Sequence, residues 1–171
     1  MGAGKSTVGV LLAEHLGLPF IDLDQQIEDT VGTTIPEIFQ QHGEAAFRAA
    51  ESAALQQLQI GNAAVVATGG GLPTRAENVQ RMRERGIIAW LDVPFDTIAH
   101  RLTPSKGSAA IAQRPLFQDL ATAQRLFQSR VEIYREAADL RLHPPKDQSA
   151  EETAAFLAKK LAEKRSLHTS T

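Results

Sequence analysis

The chain has 171 residues, 43% of them hydrophobic, and its formal net charge at pH 7 is −2. The length and hydrophobic content predict one globular domain, and the charge excludes a broad basic surface. The chain contains no cysteine, which excludes disulfides, thiolate zinc sites and cysteine nucleophiles. No apolar run approaches the roughly 20 residues that cross a bilayer, and no signal peptide is recognisable, so we expect a cytoplasmic protein without a membrane partner. We also expect a monomer without a nucleic-acid partner.

The first predicted element is a phosphate-binding loop that leads into a helix at about 5–17. Its sequence matches the second half of Gly-x-x-x-x-Gly-Lys-Ser/Thr and is followed by an apolar helical face. Backbone N–H groups of such a loop face nucleotide phosphates, Lys5 neutralises phosphate charge, and the Ser6 hydroxyl holds Mg²⁺. The alternative is a flexible N-terminus ahead of a capped helix. The loop consists of Gly2, Ala3, Gly4, Lys5, Ser6 and Thr7.

The start of this motif would fall before Met1, and so would the buried strand that normally delivers the loop. That strand is usually central in a parallel sheet and hydrogen-bonded along both edges. Its absence predicts an apolar slot about one strand wide between two strands with unpaired backbone. We therefore expect the 171-residue form to be poorly stable and nearly inactive, and about ten upstream residues to restore both properties.

Strands and helices alternate along the rest of the chain. Strands are predicted at 18–22, 63–67, 87–91 and, weakly, 139–143. Helices are predicted at about 25–31, 35–42, 44–59, 76–85, 95–102, 121–138 and 150–164, with a polar stretch at 103–113. Alternation of this kind predicts a three-layer α/β fold in which helices cover both faces of a parallel sheet. Ligands bind such sheets beyond the C-terminal ends of the strands.

Acidic residues and glycines follow two of the predicted strands. Asp22 and Asp24 end the first strand, and both side chains point toward the phosphate loop if the backbone stays extended. Gly69, Gly70 and Gly71 end the second strand, where bare backbone allows a ligand to approach closely. The alternatives are that Asp24 caps the next helix and that the glycines form a flexible turn.

Together these segments resemble the shikimate kinase family of phosphate-loop small-molecule kinases. The resemblance covers residues 2 to about 143 and implies a nucleoside-monophosphate-kinase-like fold that lacks its first central strand. It implies ATP- and Mg²⁺-dependent phosphorylation of the 3-hydroxyl of shikimate in aromatic amino-acid (chorismate) biosynthesis. The matching residues are the loop at 2–7, Asp22-Leu23-Asp24, Gly43-Glu44 with Phe47-Arg48 and Glu51, Thr68 to Gly71, Arg114-Pro115-Leu116, and Arg130 with Tyr134.

The resemblance implies three sets of contacts on the substrate side. Asp24 hydrogen-bonds the substrate hydroxyls and orients, or deprotonates, the attacking oxygen. Arg48 and Arg130 hold the shikimate carboxylate, since a guanidinium fork matches a carboxylate bidentately. The backbone at 69–71 contacts phosphate or substrate. Without the other motifs, a surface ion pair with nearby glutamates is the favoured explanation of Arg48, and a solvated helix face that of Arg130.

On the nucleotide side, the resemblance implies that Ser6 and Asp22 lie at the magnesium ion. Lys5 and Arg114 act on the transferring phosphoryl group, and Arg114 does so from a lid that closes over ATP. Arg101 stacks on the adenine ring. The catalytic residues implied are therefore Lys5, Asp24 and Arg114.

We expect one domain at 1–165, with its lid at about 103–120, and a disordered tail at 166–171. The lid is several residues longer than the family pattern. Three alternative functions remain: a related small-molecule kinase such as gluconate kinase, a non-catalytic ligand-binding module of the same fold, and a truncated inactive product. The occurrence of Arg48 and Arg130 together with the acidic pair disfavours gluconate kinase.

Overall fold

The computed structural model describes residues 2–102 and 120–168, and within these ranges it contains four strands and seven helices. The strands are β1 (Phe20–Asp22), β2 (Val65–Ala67), β3 (Ala89–Leu91) and β4 (Leu140–Leu142). The helices are α1 (Lys5–Leu16), α2 (Leu23–Val31), α3 (Ile35–Gln57), α4 (Ala76–Arg85), α5 (Phe95–Leu102), α6 (Leu120–Ala137) and α7 (Ala150–His168). The predicted alternation of strands and helices is confirmed.

Three details differ from the sequence-based expectation. The helices predicted on either side of Gly43 form one element, α3, interrupted where Gly43 adopts φ 78° and ψ 175°. A 3₁₀ turn, Leu72–Thr74, was not predicted. Helix α7 continues to His168, so the prediction of a disordered tail is wrong for 166–168, because the helix contains no glycine or proline that would end it. Residues 169–171 lie outside the described residues.

The start of α2 corrects the prediction for the two aspartates. Asp22 is the N-cap, with φ −96° and ψ 114°, and its side chain accepts a hydrogen bond from the Asp24 N–H at 3.1 Å. Asp24 is thus not the cap but lies inside the first turn. The chain turns helical at Leu23, so the extended backbone assumed for the pair is also wrong.

The strands form two separate parallel pairs. β1 pairs with β2, with Ile21 opposite Val66, and β3 pairs with β4, with Trp90 opposite Arg141. Within residues 2–102 and 120–168, no strand joins β2 to β3. This gap is the one predicted for a sheet without its central strand.

Helices cover both faces of the strands. α1 and α7 pack on one face, where Val65 of β2 and Leu91 of β3 contact the same core cluster as Leu12 of α1. On the other face, Val66 of β2 and Leu55 of α3 share a second cluster. The switch from Val65 to Val66 follows the strand alternation of side chains. The three-layer arrangement is therefore present, and α1 spans the gap between the two strand pairs.

Helix α6 spans the gap on the opposite face. The Tyr134 ring lies 6.0 Å from the Trp90 ring of β3, and the Tyr134 hydroxyl donates to the Gly70 carbonyl beyond β2 at 2.5 Å. Nowhere in the described part of the chain is a helix long and apolar enough to cross a membrane.

Candidate active site

The phosphate-loop segment runs into the N-terminus of α1. Gly2 has φ 70° and Gly4 has φ 86°, a left-handed conformation that glycine adopts without a steric penalty. The Val8 N–H donates to the Gly4 carbonyl at 2.9 Å, which closes the first helical turn. The free N–H groups of a helix N-terminus attract anions, so the loop-to-helix context that the motif requires is present.

Ser6 and Asp22 meet next to this loop. The Ser6 hydroxyl donates to Asp22 Oδ2 at 2.7 Å. Hydroxyl and carboxylate oxygens suit Mg²⁺, which commonly takes one or two protein oxygens and completes its shell with phosphates and water. No cluster of three or more acidic, histidine or cysteine side chains that could hold a metal occurs among residues 2–102 and 120–168. The pair fits a magnesium ion that arrives with a nucleotide.

Arg48 is fixed by two glutamates on its own helix. Its Nη1 donates to Glu51 Oε2 at 2.5 Å and its Nη2 to Glu44 Oε1 at 3.0 Å, while its guanidinium carbon lies 5.2 Å from the Phe47 ring centroid. The Glu51 side chain is 1% exposed and the Glu44 side chain 65%. The predicted alternative of a surface ion pair therefore describes the Glu44 contact but not the Glu51 contact.

Burial and charge shift the pKa values of this pair. Burial raises the pKa of Glu51, against the hydrogen bond and charge of Arg48, and the nearby Asp24 charge raises it further. Burial works to lower the pKa of Arg48, but its hydrogen bonds to Glu51 and Glu44 leave that pKa raised. Arg48 is thus a permanent cation held between one buried and one exposed carboxylate.

The glycines after β2 leave room for these side chains. A Cβ on Gly69 would lie 2.6 Å from Glu51 Oε1 and 2.7 Å from Asp24 Oδ1, and a Cβ on Gly71 would overlap the Arg48 guanidinium. The turn is hydrogen-bonded, with the Leu72 N–H donating to the Gly69 carbonyl at 3.2 Å. A flexible turn is therefore not supported, and the glycines have a packing role that the sequence did not indicate.

Arg130 and Tyr134 complete the pocket from α6. A cavity of about 300 Å³ is lined by Lys5, Gly70, Arg130 and Tyr134 at this end. Burial raises the pKa of Tyr134, and the neighbouring Arg130 counteracts the effect. Arg130 is half-buried and also acts electrostatically on Glu51, so it faces the pocket and not a solvated helix face.

Of the two arginines predicted to bind the nucleotide, the structure describes only one. Arg101 is exposed, and its Nη1 lies 3.8 Å from where a Cβ of Gly4 would be, which places the guanidinium beside the loop. Arg114 and nearly all of the predicted lid lie outside the described residues.

Sequence reasoning assigned no role to Glu51 or Tyr134. Glu51 lies three residues after Arg48 on one helix face, a spacing that indicates an ion pair but not that one partner is buried. Tyr134 lies four residues after Arg130, and this helical spacing could have indicated that both side chains reach the same pocket.

Comparison with known proteins gives consistent matches along the chain. The family model described as shikimate kinase matches residues 1–162. A shikimate kinase of Persephonella marina is 42% identical over 143 residues, which are 83% of this chain and 83% of the relative. One of Xanthomonas campestris pv. campestris is 41% identical over 165 residues, which are 96% of this chain and 90% of the relative.

Solved structures agree with the sequence matches. The shikimate kinase from Acinetobacter baumannii in complex with shikimate superposes with a TM-score of 0.80 at 37% identity, covering 95% of this chain and 87% of that one. The Aquifex aeolicus enzyme gives 0.77 at 33%, covering 96% and 94%. These similarities confirm the predicted family, fold class and enzyme class, and they favour shikimate kinase over the gluconate kinase alternative.

Proposed function

This chain belongs to the shikimate kinase family, and we propose that it transfers the γ-phosphoryl group of ATP to the 3-hydroxyl of shikimate. The observation that carries the proposal is that Arg48, Asp24 and Arg130 all act on the buried Glu51 carboxylate, next to a cavity that Lys5 and Arg130 line. Two guanidinium groups suit a planar carboxylate, and a carboxylate beside them suits ring hydroxyls. The chemistry of the pocket matches a small hydroxylated acid.

Positioning and charge stabilisation supply the catalysis. The hydroxyl oxygen forms a bond to the γ-phosphorus while the bond from that phosphorus to the bridging oxygen breaks, and ADP leaves with the electron pair. Asp24 orients the hydroxyl and accepts its proton, while Arg48 and Arg130 hold the carboxylate so that the hydroxyl is in line. The backbone at 69–71 contacts the substrate or the phosphate.

The nucleotide side of the proposal rests on the loop at 2–7. Its N–H groups and Lys5 bind the phosphates, and Ser6 and Asp22 would hold Mg²⁺, which neutralises phosphate charge when bound. The family uses ATP as phosphate donor, and the juxtaposed Ser6 and Asp22 oxygens support Mg²⁺ as the accompanying ion. Arg101, beside the loop, stacks on adenine.

We further propose that residues 1–165 form a single domain and that Arg114 closes over ATP from a lid at about 103–120. An arginine that reaches the transferring phosphoryl group accelerates such reactions by roughly 10³-fold or more. We also propose a cytoplasmic monomer, and the net charge of −2 supports the absence of nucleic-acid and anionic-membrane partners.

A coupled assay of ADP release tests the substrate assignment. It compares shikimate, quinate and gluconate, with and without Mg²⁺, for the 171-residue chain and for a form extended by an N-terminal apolar strand. We expect Mg²⁺-dependent turnover to be fastest with shikimate. Faster turnover with gluconate in either form would overturn the assignment.

A further inference from the structure

Tyr134 connects helix α6 to the glycine turn at 69–71. Its hydroxyl donates to the Gly70 carbonyl at 2.5 Å, across a sequence separation of 64 residues. The phenol ring lies 6.0 Å from the Trp90 ring of β3, so a packed aromatic side chain presents the hydroxyl. Burial raises the pKa of Tyr134, which keeps the phenol protonated and therefore a hydrogen-bond donor at neutral pH.

This hydrogen bond determines the direction of the Gly70 carbonyl. In the described part of the chain, only Tyr134 donates to that carbonyl. The Thr74 N–H and the Thr74 hydroxyl donate instead to the Gly71 carbonyl, at 3.0 and 2.6 Å. Neither glycine has a Cβ that would restrict the peptide between them, so this peptide can rotate at little steric cost. The Tyr134 hydroxyl therefore selects one of its orientations.

The orientation of this peptide matters because Gly70 lines the cavity. In a planar trans peptide the carbonyl and the following N–H point in opposite directions, so the bond to Tyr134 directs the Gly71 N–H away from α6. Neither the Gly70 N–H nor the Gly71 N–H donates to an acceptor among the residues that the structure describes. A Cβ on Gly71 would overlap the Arg48 guanidinium, so these N–H donors lie beside an arginine assigned to the substrate carboxylate.

We propose that Tyr134 is a positioning residue that makes the glycine turn a donor surface for the carboxylate of the acceptor substrate. Its hydroxyl occupies the Gly70 carbonyl and leaves the N–H groups of the turn for the substrate. An ionised carboxylate only accepts hydrogen bonds, so a carbonyl that rotated into the pocket in place of an N–H would repel it. The inference deepens the proposed function and rests on it.

Tyr134→Phe removes the hydroxyl and keeps the ring. Trp90 is the only tryptophan in the chain and lines the cavity, so its emission follows shikimate binding. We expect the Kd and the KM for shikimate to rise about 10-fold, while kcat and the KM for ATP change by less than about 2-fold. Thr74→Val is the matched control, because it removes a hydroxyl bond from the same turn but keeps the Thr74 N–H on the Gly71 carbonyl. Its Kd for shikimate should change by less than about 2-fold.

The methyl ester of shikimate separates positioning from a general loosening of the pocket. It lacks the carboxylate charge, so a rotated carbonyl repels it less, and Tyr134→Phe should raise its Kd by less than about 3-fold. Equal losses for the acid and the ester would overturn the proposal, and so would equal effects of Tyr134→Phe and Thr74→Val on shikimate binding.

Amide exchange in the ligand-free protein tests the same contact without a substrate. The Leu72 N–H donates to the Gly69 carbonyl at 3.2 Å and closes the turn. Tyr134→Phe should therefore accelerate its exchange at least about 10-fold relative to the Asn78 N–H, which lies outside the turn. Unchanged exchange at Leu72 would show that Tyr134 does not hold the turn. If the parent binds no shikimate, the proposed function fails, and the exchange at Leu72 still decides whether Tyr134 holds the turn.

Discussion

The proposed carboxylate-binding side of the pocket and its phosphate-loop side are held in different ways. Arg48 is fixed by Glu44, Glu51 and the Phe47 ring, all on one helix. The loop at 2–7 is held by the hydrogen bond from Ser6 to Asp22 and borders the open gap between the strand pairs. On the proposed assignment, substrate binding depends on contacts within α3, whereas phosphate transfer depends on how the loop is supported.

The largest expected effect is on the phosphate side. Lys5→Ala should lower kcat by about 10²–10³-fold, because one charge at the reacting phosphate is lost. We expect Tm to stay within about 2 °C of the parent, since no core contact is removed. Steady-state kinetics and a thermal melt measure both quantities. Lys159→Ala, at an exposed position on α7, is the control, and parallel losses of Tm and activity for Lys5→Ala would show a structural role instead.

Asp24→Asn tests whether the Asp24 carboxylate serves the acceptor hydroxyl or the nucleotide. Loss of a general base typically lowers kcat by about 10²-fold or more, while the KM for ATP should change little because the carboxylate serves the acceptor hydroxyl. Asp29→Asn, at an exposed position on the same helix, is the matched control. A raised KM for ATP with unchanged kcat would move Asp24 to the nucleotide side.

The sequence predicted the order of elements and the gap because both follow from local patterns. Apolar periodicity located the helices, and a glycine-lysine-serine run before one of them identified the phosphate loop. The gap between the two strand pairs agrees with that loop, because the strand that delivers such a loop lies at the centre of the sheet.

The sequence could not predict features set by contacts between distant segments. The roles of Gly69 and Gly71 depend on where Asp24, Arg48 and Glu51 lie in space. The start of α2 depends on a single hydrogen bond that the Asp22 side chain accepts. From the sequence alone, the residues around Asp22 were equally compatible with a continued strand and with a helical cap.

Gly71→Ala isolates the carboxylate side. Gly71 has φ −86° and ψ −24°, a conformation that alanine adopts freely, so the added methyl acts only by displacing the Arg48 guanidinium. We expect the KM for shikimate to rise about 10-fold with little change in kcat, because the carboxylate contact is made equally in the ground state and in the transition state. Gly61→Ala, where a Cβ meets nothing within 4 Å, is the control. An unchanged KM for Gly71→Ala would separate Arg48 from carboxylate binding.

The smallest effect concerns the buried partner of Arg48 and is seen most clearly in the pH dependence of stability. Burial raises the pKa of Glu51 above its ordinary value of 4.5, so the folded protein binds this proton more tightly than the unfolded chain. The associated stability is present below pH 4.5 and is lost as the pH rises through the raised value. Glu51→Gln abolishes this titration, and its Tm relative to the parent should therefore improve as the pH rises above 4.5.

Glu44→Gln is the control for this series, because it removes the other carboxylate from Arg48 at a position that is 65% exposed. An exposed ion pair contributes little to stability, so we expect its Tm to stay within about 2 °C of the parent. Glu51→Gln should also raise the KM for shikimate a few-fold, since Arg48 loses its buried anchor while keeping its charge. If the relative Tm of Glu51→Gln fell as pH increased, the ionised Glu51–Arg48 pair would stabilise the fold, and the carboxylate side would be held by charge pairing at neutral pH.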